Sequence, residues 1–163
     1  MKNIFTNIEK MLKQQEYCEV INTLVNKNTK RISKPFSQDL NHAWYLVGLA
    51  YYKHENYNEA LHAFMKANRN WKDDIAAIRA IGNCYSELGK PKSAKYYFIK
   101  ARDMGGRKYK DLNILNYNIG NAYFDLGKYQ LAIDEYKKVK KSDEITYDLT
   151  KKNIRACKKR LAS

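Results

Sequence analysis

Gly48 and Gly82 stand 34 residues apart, and each is surrounded by the same pattern. The first lies in Trp44-x-x-Val47-Gly48-x-x-Tyr51, followed by Ala60-x-x-x-Phe64-x-x-Ala67. The second lies in Ile78-x-x-Ile81-Gly82-x-x-Tyr85, followed by Leu88-Gly89 and Ala94-x-x-x-Phe98-x-x-Ala101. A third copy follows 38 residues on, with Ile119, Gly120 and Tyr123 on one helix and Ala132, Tyr136 and Val139 on the next, joined at Asp125-Leu126-Gly127-Lys128. Steps of three and four residues put these side chains on one helix face, and a small residue opposite a ring lets two helices close on each other. A unit of this size cannot bury its apolar face alone, so the copies must stack on their neighbours.

Trp, an aliphatic residue, Gly, Tyr, Ala and Phe in this order, at a 34-residue period, resembles the tetratricopeptide-repeat family over residues 41–141. The departures are few. Ile78 and Asn116 stand where Trp44 does, Tyr136 replaces the Phe, and the late Pro of the motif is absent. The resemblance implies an all-α fold, a right-handed α-solenoid of stacked helix-turn-helix units with a C-terminal closing helix. The spacing divides one domain, 1–163, into a degenerate repeat (1–28), a linker (29–40), repeats at 41–74 and 75–108, an insertion (109–112), a repeat at 113–146 and a basic capping helix (147–163).

Along the chain, Ile4, Ile8, Met11 and Leu12 and then Tyr17, Val20, Ile21, Leu24 and Val25 fall at helical spacing. Terminal units of a stack are often atypical because one side faces water, so this pair reads as a worn first repeat. Phe5, Met11 and Leu12 are also candidates for a dimer contact, and oligomeric state stays open. Pro35 interrupts the next stretch, and Ser37 is a candidate cap for the helix that follows. Asp73 or Asp74 starts a helix, and Gly105-Gly106 ends the one after it, before the basic, aromatic run Arg107-Lys108-Tyr109-Lys110. Ser142-Asp143-Glu144 opens the last helix, for which Leu149, Ile154, Cys157 and Leu161 are available for packing.

The chain holds 31 Lys and Arg against 17 Asp and Glu, a formal charge of +14. That balance favours acidic partners, although much of it can also be a solvated lysine face. Cys18, Cys84 and Cys157 are odd in number and lack metal-ligand spacing, and Cys84 takes the small-residue position of Ala50 and Ala122. No stretch has the makeup of a signal peptide or a membrane span. These features point to a reducing, cytoplasmic setting.

No nucleophile–base pair, phosphate loop or metal motif is visible, so neither a cofactor nor enzymatic activity is expected. His54-Glu55 lies in a turn and reads as solvated. A stack of helix pairs instead exposes a concave groove lined by the first helix of each pair. The residues left for it are Phe5, Glu9 and Leu12, then Tyr45, Leu49 and Tyr52. After them come Arg79, Asn83 and Ser86, then Tyr117, Asn118, Asn121 and Phe124, and finally Lys152 and Arg155. Asn both donates and accepts, which suits a peptide backbone, and Arg79 suits a carboxylate. In tetratricopeptide domains that grip carboxylate-ended chaperone tails, a cation and an Asn are followed by an Asn in the next repeat. Arg79, Asn83 and Asn118 match those positions, Lys152 stands for a later cation, and Asp148 falls where another belongs.

The expected function is therefore a non-catalytic module binding a protein or peptide, favouring acidic or carboxylate-bearing segments. One alternative is nucleic-acid or anionic-surface binding through Arg31, Lys34, Arg107, Lys108, Lys110 and the terminal basic cluster, with Tyr109 stacking. Another is a small secretion-type chaperone, which shares this architecture.

Overall fold

The computed structural model describes residues 4–106 and 109–162. Arg107 and Lys108, on which the nucleic-acid reading partly rests, lie outside the described residues. The described residues form nine α-helices and no strand, beyond a single bridge between Val25 and Ile32. They divide into two compact units, one reaching Cys84 and one starting at Tyr85.

The first unit contains α1 (Thr6–Lys13), α2 (Tyr17–Leu24), α3 (Leu40–Lys53), α4 (Tyr57–Asn70) and most of α5 (Ile75–Glu87). The second contains α6 (Pro91–Gly105), α7 (Leu112–Asp125), α8 (Tyr129–Tyr136) and α9 (Glu144–Leu161). The third copy's second helix ends at Tyr136, so Val139 is buried from the following turn and not from the helix expected there.

Four turns close in the same way. Gln15, Glu55, Gly89 and Gly127 each take a positive φ of 61° to 70°. At each, the N–H of that residue donates to the carbonyl three residues back, and the next N–H donates five residues back. The pairs are Gln15 to Leu12 with Glu16 to Met11, Glu55 to Tyr52 with Asn56 to Tyr51, Gly89 to Ser86 with Lys90 to Tyr85, and Gly127 to Phe124 with Lys128 to Tyr123. This closure satisfies carbonyls that the end of a helix leaves open. The first pair thus shares the turn of the others, although its helices have only 8 residues each and its side-chain pattern is worn.

In the first unit Phe5, Ile8, Val20, Leu24, Val47 and Ala50 form one core cluster. Phe5 is only 4% exposed, edge-on to His42 at 4.6 Å and 5.5 Å from the Phe36 ring. Met11 and Leu12 pack on the same cluster. Phe5 is therefore spent inside the unit, which corrects its assignment to the groove, while Met11 and Leu12 stay partly exposed. Ser37 does not cap α3. Its hydroxyl donates to the Lys34 carbonyl, and Asp39 accepts from the His42 N–H at 2.9 Å instead. Asp74 and Asp143 cap α5 and α9, accepting from Ala77 and Thr146.

Gly48 is needed for a close approach: a Cβ there would lie 2.6 Å from the Phe64 ring. In the second unit Gly120 faces Tyr136 the same way, at 2.5 Å. The buried Glu135 carboxylate takes Arg102 at 2.9 Å and Lys138 at 2.8 Å, linking α6 to the end of α8. Pairing of this kind is what a nearly buried carboxylate requires.

The closing helix α9 turns a different face inward from the one its leucines suggest. Thr146, Thr150 and Cys157 are buried, while Leu149 is 42% and Leu161 53% exposed. Cys157 and Ile154 do pack inward as expected. Thr150 donates to the Tyr147 carbonyl at 2.6 Å, and Asn153 bonds across to α7 and α8.

Candidate functional site

Beyond the first pair, the residues assigned to a groove sit on α3, α5, α7 and α9; among them Leu49 packs on the core cluster of the first unit, and Tyr117 and Phe124 pack on that of the second. On α3, Tyr45, Leu49 and Tyr52 are half-buried. The Tyr45 ring lies 5.5 Å from Phe64, and the Tyr52 ring is edge-on to Tyr57 at 5.4 Å. These rings are held by the second helix of their own repeat, so each offers a fixed edge instead of a mobile side chain. Glu9 pairs with His42 at 3.6 Å, which sets a charged group beside this aromatic row.

Arg79 and Asn83 are half-buried on α5 and Ser86 is exposed; Tyr117, Asn118, Asn121 and Phe124 are half-buried on α7. Asn121 has a further duty. Its side-chain oxygen accepts from the Tyr136 hydroxyl at 2.7 Å and from the Asn153 amide at 3.1 Å. Sequence reasoning assigned Asn121 to a ligand, and the structure ties its carbonyl oxygen to the joint between α7, α8 and α9. The signal was present: Tyr in place of Phe at 136 brings a hydroxyl that must find a partner once buried.

On α9, Lys152 and Arg155 are exposed. Ile145, 79% exposed, and Leu149 precede Lys152 by seven and three residues. Steps of four and three place Ile145, Leu149 and Lys152 in one stripe, apolar at its start and cationic further on. Asp148, which falls where a second cation would stand, is already engaged by Lys151 at 3.2 Å.

Two other features bear on function. Asn116, which replaces the tryptophan of the pattern, is 4% exposed, and its side-chain oxygen has no hydrogen-bond partner within the described structure. It borders a cleft of about 650 Å³ with Arg102, Leu112 and Lys138, both cations of which already serve Glu135. Tyr109, offered for base stacking, lies with its ring against Gly105, and its hydroxyl reaches Asp111 at 3.4 Å. Cys84 and Cys157 are buried and Cys18 exposed, all as thiols, and burial pushes the Cys157 thiol up. Among the described residues no cluster suits a metal ion, and no helix is long and apolar enough to cross a membrane.

The tetratricopeptide-repeat family model matches residues 42–69 and again residues 115–146. The chain carries tetratricopeptide repeats. The first match covers most of α3 and α4, and the second runs from α7 through α8 into the start of α9. No protein of curated description matches the chain significantly. Tetratricopeptide repeats mediate protein–protein interaction and are typically non-catalytic scaffolds.

Proposed function

We propose that this chain is a non-catalytic adaptor that holds a segment of a partner protein along the first helices of its repeats, with preference for acidic or carboxylate-bearing segments. The observation that carries the reading is the α9 stripe. Ile145 and Leu149 are more exposed than core packing would leave them, and they lead directly into Lys152 and Arg155. Apolar contact gives such a surface affinity, and the cations select the sign of the guest's charge. In the first unit Tyr45, Leu49 and Tyr52 supply apolar and aromatic contact and Arg79 and Asn83 polar groups, and in the second unit Tyr117 and Asn118 supply polar groups able to hold a peptide chain or its carboxylate.

The test is an affinity capture from native extract, run with and without nuclease. The wild-type chain is compared with Lys152→Glu/Arg155→Glu and with Asn83→Ala/Asn118→Ala. A guest that survives nuclease, and is reduced about tenfold or more by charge reversal on α9, supports the reading. Capture lost on nuclease treatment would assign the basic surface to nucleic acid instead. Retention of one protein partner at full strength by both variants would remove the groove.

A further inference from the structure

The second helices α4 and α6 match position for position one period apart. Tyr96, Ile99 and Met104 on α6 are answered by His62, Met65 and Asn70 on α4. In the third repeat only the match to Tyr96, Asp134, falls within a helix, because α8 ends at Tyr136. α4 carries one apolar residue at the three positions and α8 an acid at the first, so a second helix of this kind does not require apolar side chains at all of them. In α6 all three are apolar, with Tyr96 60% and Met104 38% exposed.

These residues border a trough of about 630 Å³, lined by Lys95, Tyr96, Ile99, Lys100, Asp103 and Met104. Tyr96 does not stand alone. It meets Tyr97 edge-on at 5.2 Å, and Tyr97 stacks on Tyr85 at 5.4 Å, so the exposed ring is braced from behind. Lys95 is positioned over the Tyr123 ring at 5.1 Å. A rigid, half-exposed tyrosine beside flexible Met and Ile is the makeup of a contact hot spot.

We infer that the outer face of α6 docks an acidic amphipathic helix of a partner protein, at a site separate from the groove. The stripe from Tyr96 to Met104 runs about 12 Å along the helix, at 1.5 Å per residue, which suits the apolar face of a crossing helix about two turns long. Lys92 and Lys95 lie beside it and Lys100 falls between Tyr96 and Met104, against the single Asp103, so a guest with carboxylates beside its apolar residues is favoured. A second copy of this chain is disfavoured, because it would bring the same lysines against these.

Fluorescence anisotropy with a labelled helical peptide tests this. The probe has Leu at i, i+3, i+4 and i+7 and Glu elsewhere, and a control carries Lys in place of Glu. The wild-type chain should bind the acidic probe and not the basic one. Tyr96→Ser/Met104→Ser should weaken binding about tenfold or more, and Lys92→Glu/Lys100→Glu should do the same with the apolar residues intact. Lys152→Glu/Arg155→Glu should leave it unchanged, which separates this site from the proposed groove. All of these substitutions except Lys100→Glu, which is half-buried, change exposed residues, and unchanged thermal unfolding checks that each variant folds. Equal binding by wild type and both α6 variants, or no binding of the acidic probe, overturns the proposal. So does a dimer in sedimentation equilibrium that is lost in Tyr96→Ser, which would give the face to self-association.

Discussion

Gly48 with Phe64 and Gly120 with Tyr136 occupy the same place in two repeats, and they hold their helices together by different means. In the first repeat the contact is a ring against a bare backbone, with a hypothetical Cβ 2.6 Å from that ring. In the third the approach is as close, but the ring carries a hydroxyl that bonds Asn121 and Asn153. The residue matching Asn121 in the first repeat is Leu49. Phenyl and Leu occur together in one copy, and phenol and Asn in the other. A repeat with further helices to pack on can be closed by shape alone. The joint that receives α9, whose buried residues are Thr146, Thr150 and Cys157, is closed by hydrogen bonds as well.

The sharpest break is Gly→Ala at either joint. A new methyl would have to displace a ring that is 1% exposed in both cases. Overpacking of this kind costs up to about 3 kcal/mol, and the better helix propensity of Ala returns about 1 kcal/mol. Each variant should therefore lose about 2 kcal/mol, or roughly 4–8 °C in thermal unfolding. Gly48→Ala should be largely rescued by Phe64→Leu, whereas Gly120→Ala with Tyr136→Leu should recover less, because Asn121 and Asn153 both lose the hydroxyl and keep only each other. Equal rescue at both joints would erase the distinction.

Tyr136→Phe comes next. It leaves the shape intact and removes the shared hydroxyl, for an expected loss of about 1–2 kcal/mol in chemical unfolding at neutral pH. The pH dependence gives a second reading. Burial pushes the Tyr136 phenol well above its ordinary value of 10.0, with the Asn153 hydrogen bond pulling the other way. The folded chain thus keeps a proton that the unfolded chain releases. The contribution is complete below about pH 10 and falls away as pH rises toward the folded value. Wild-type stability should decline more steeply above pH 10 than that of Tyr136→Phe. Some decline remains in the variant, since burial also raises Tyr51 and Tyr97.

These two joints also mark where the sequence could be read and where it could not. Wherever a residue had counterparts one period away, its role was legible: Ala50, Cys84 and Ala122 are buried together, and the turns at Glu55, Gly89 and Gly127 fall where the spacing puts them. The closing helix has no such counterpart, so apolarity alone pointed to Leu149, Ile154, Cys157 and Leu161; Ile154 and Cys157 pack, whereas Leu149 and Leu161 are exposed and Asn153 bonds inward beside Cys157. Phe5 was misread for a related reason. Its ring partners, Phe36 and His42, lie across an irregular stretch whose path no periodicity reveals. In the site, Lys152 and Arg155 are exposed as expected, and Asn121 was assigned without weighing the hydroxyl two helix turns into α8 that claims it.

The smallest effect concerns the turns that flank the two joints. Gly127 takes φ +70° with nothing near its missing Cβ, while the first repeat makes the same turn with Glu55 at φ +61°. A residue with a Cβ pays about 1 kcal/mol or somewhat more in that region, and glycine gives back part of the gain by freeing the unfolded chain. Glu55→Gly should therefore stabilise by about 0.5 kcal/mol, a rise of roughly 1–2 °C in thermal unfolding. Gly127→Ala should destabilise by about 1 kcal/mol, because open space beside the residue does not relieve the backbone. If Glu55→Gly instead lowers stability, the glutamate must contribute more through its side chain than its backbone costs, and the first repeat's turn would then be held by chemistry that the third repeat does without.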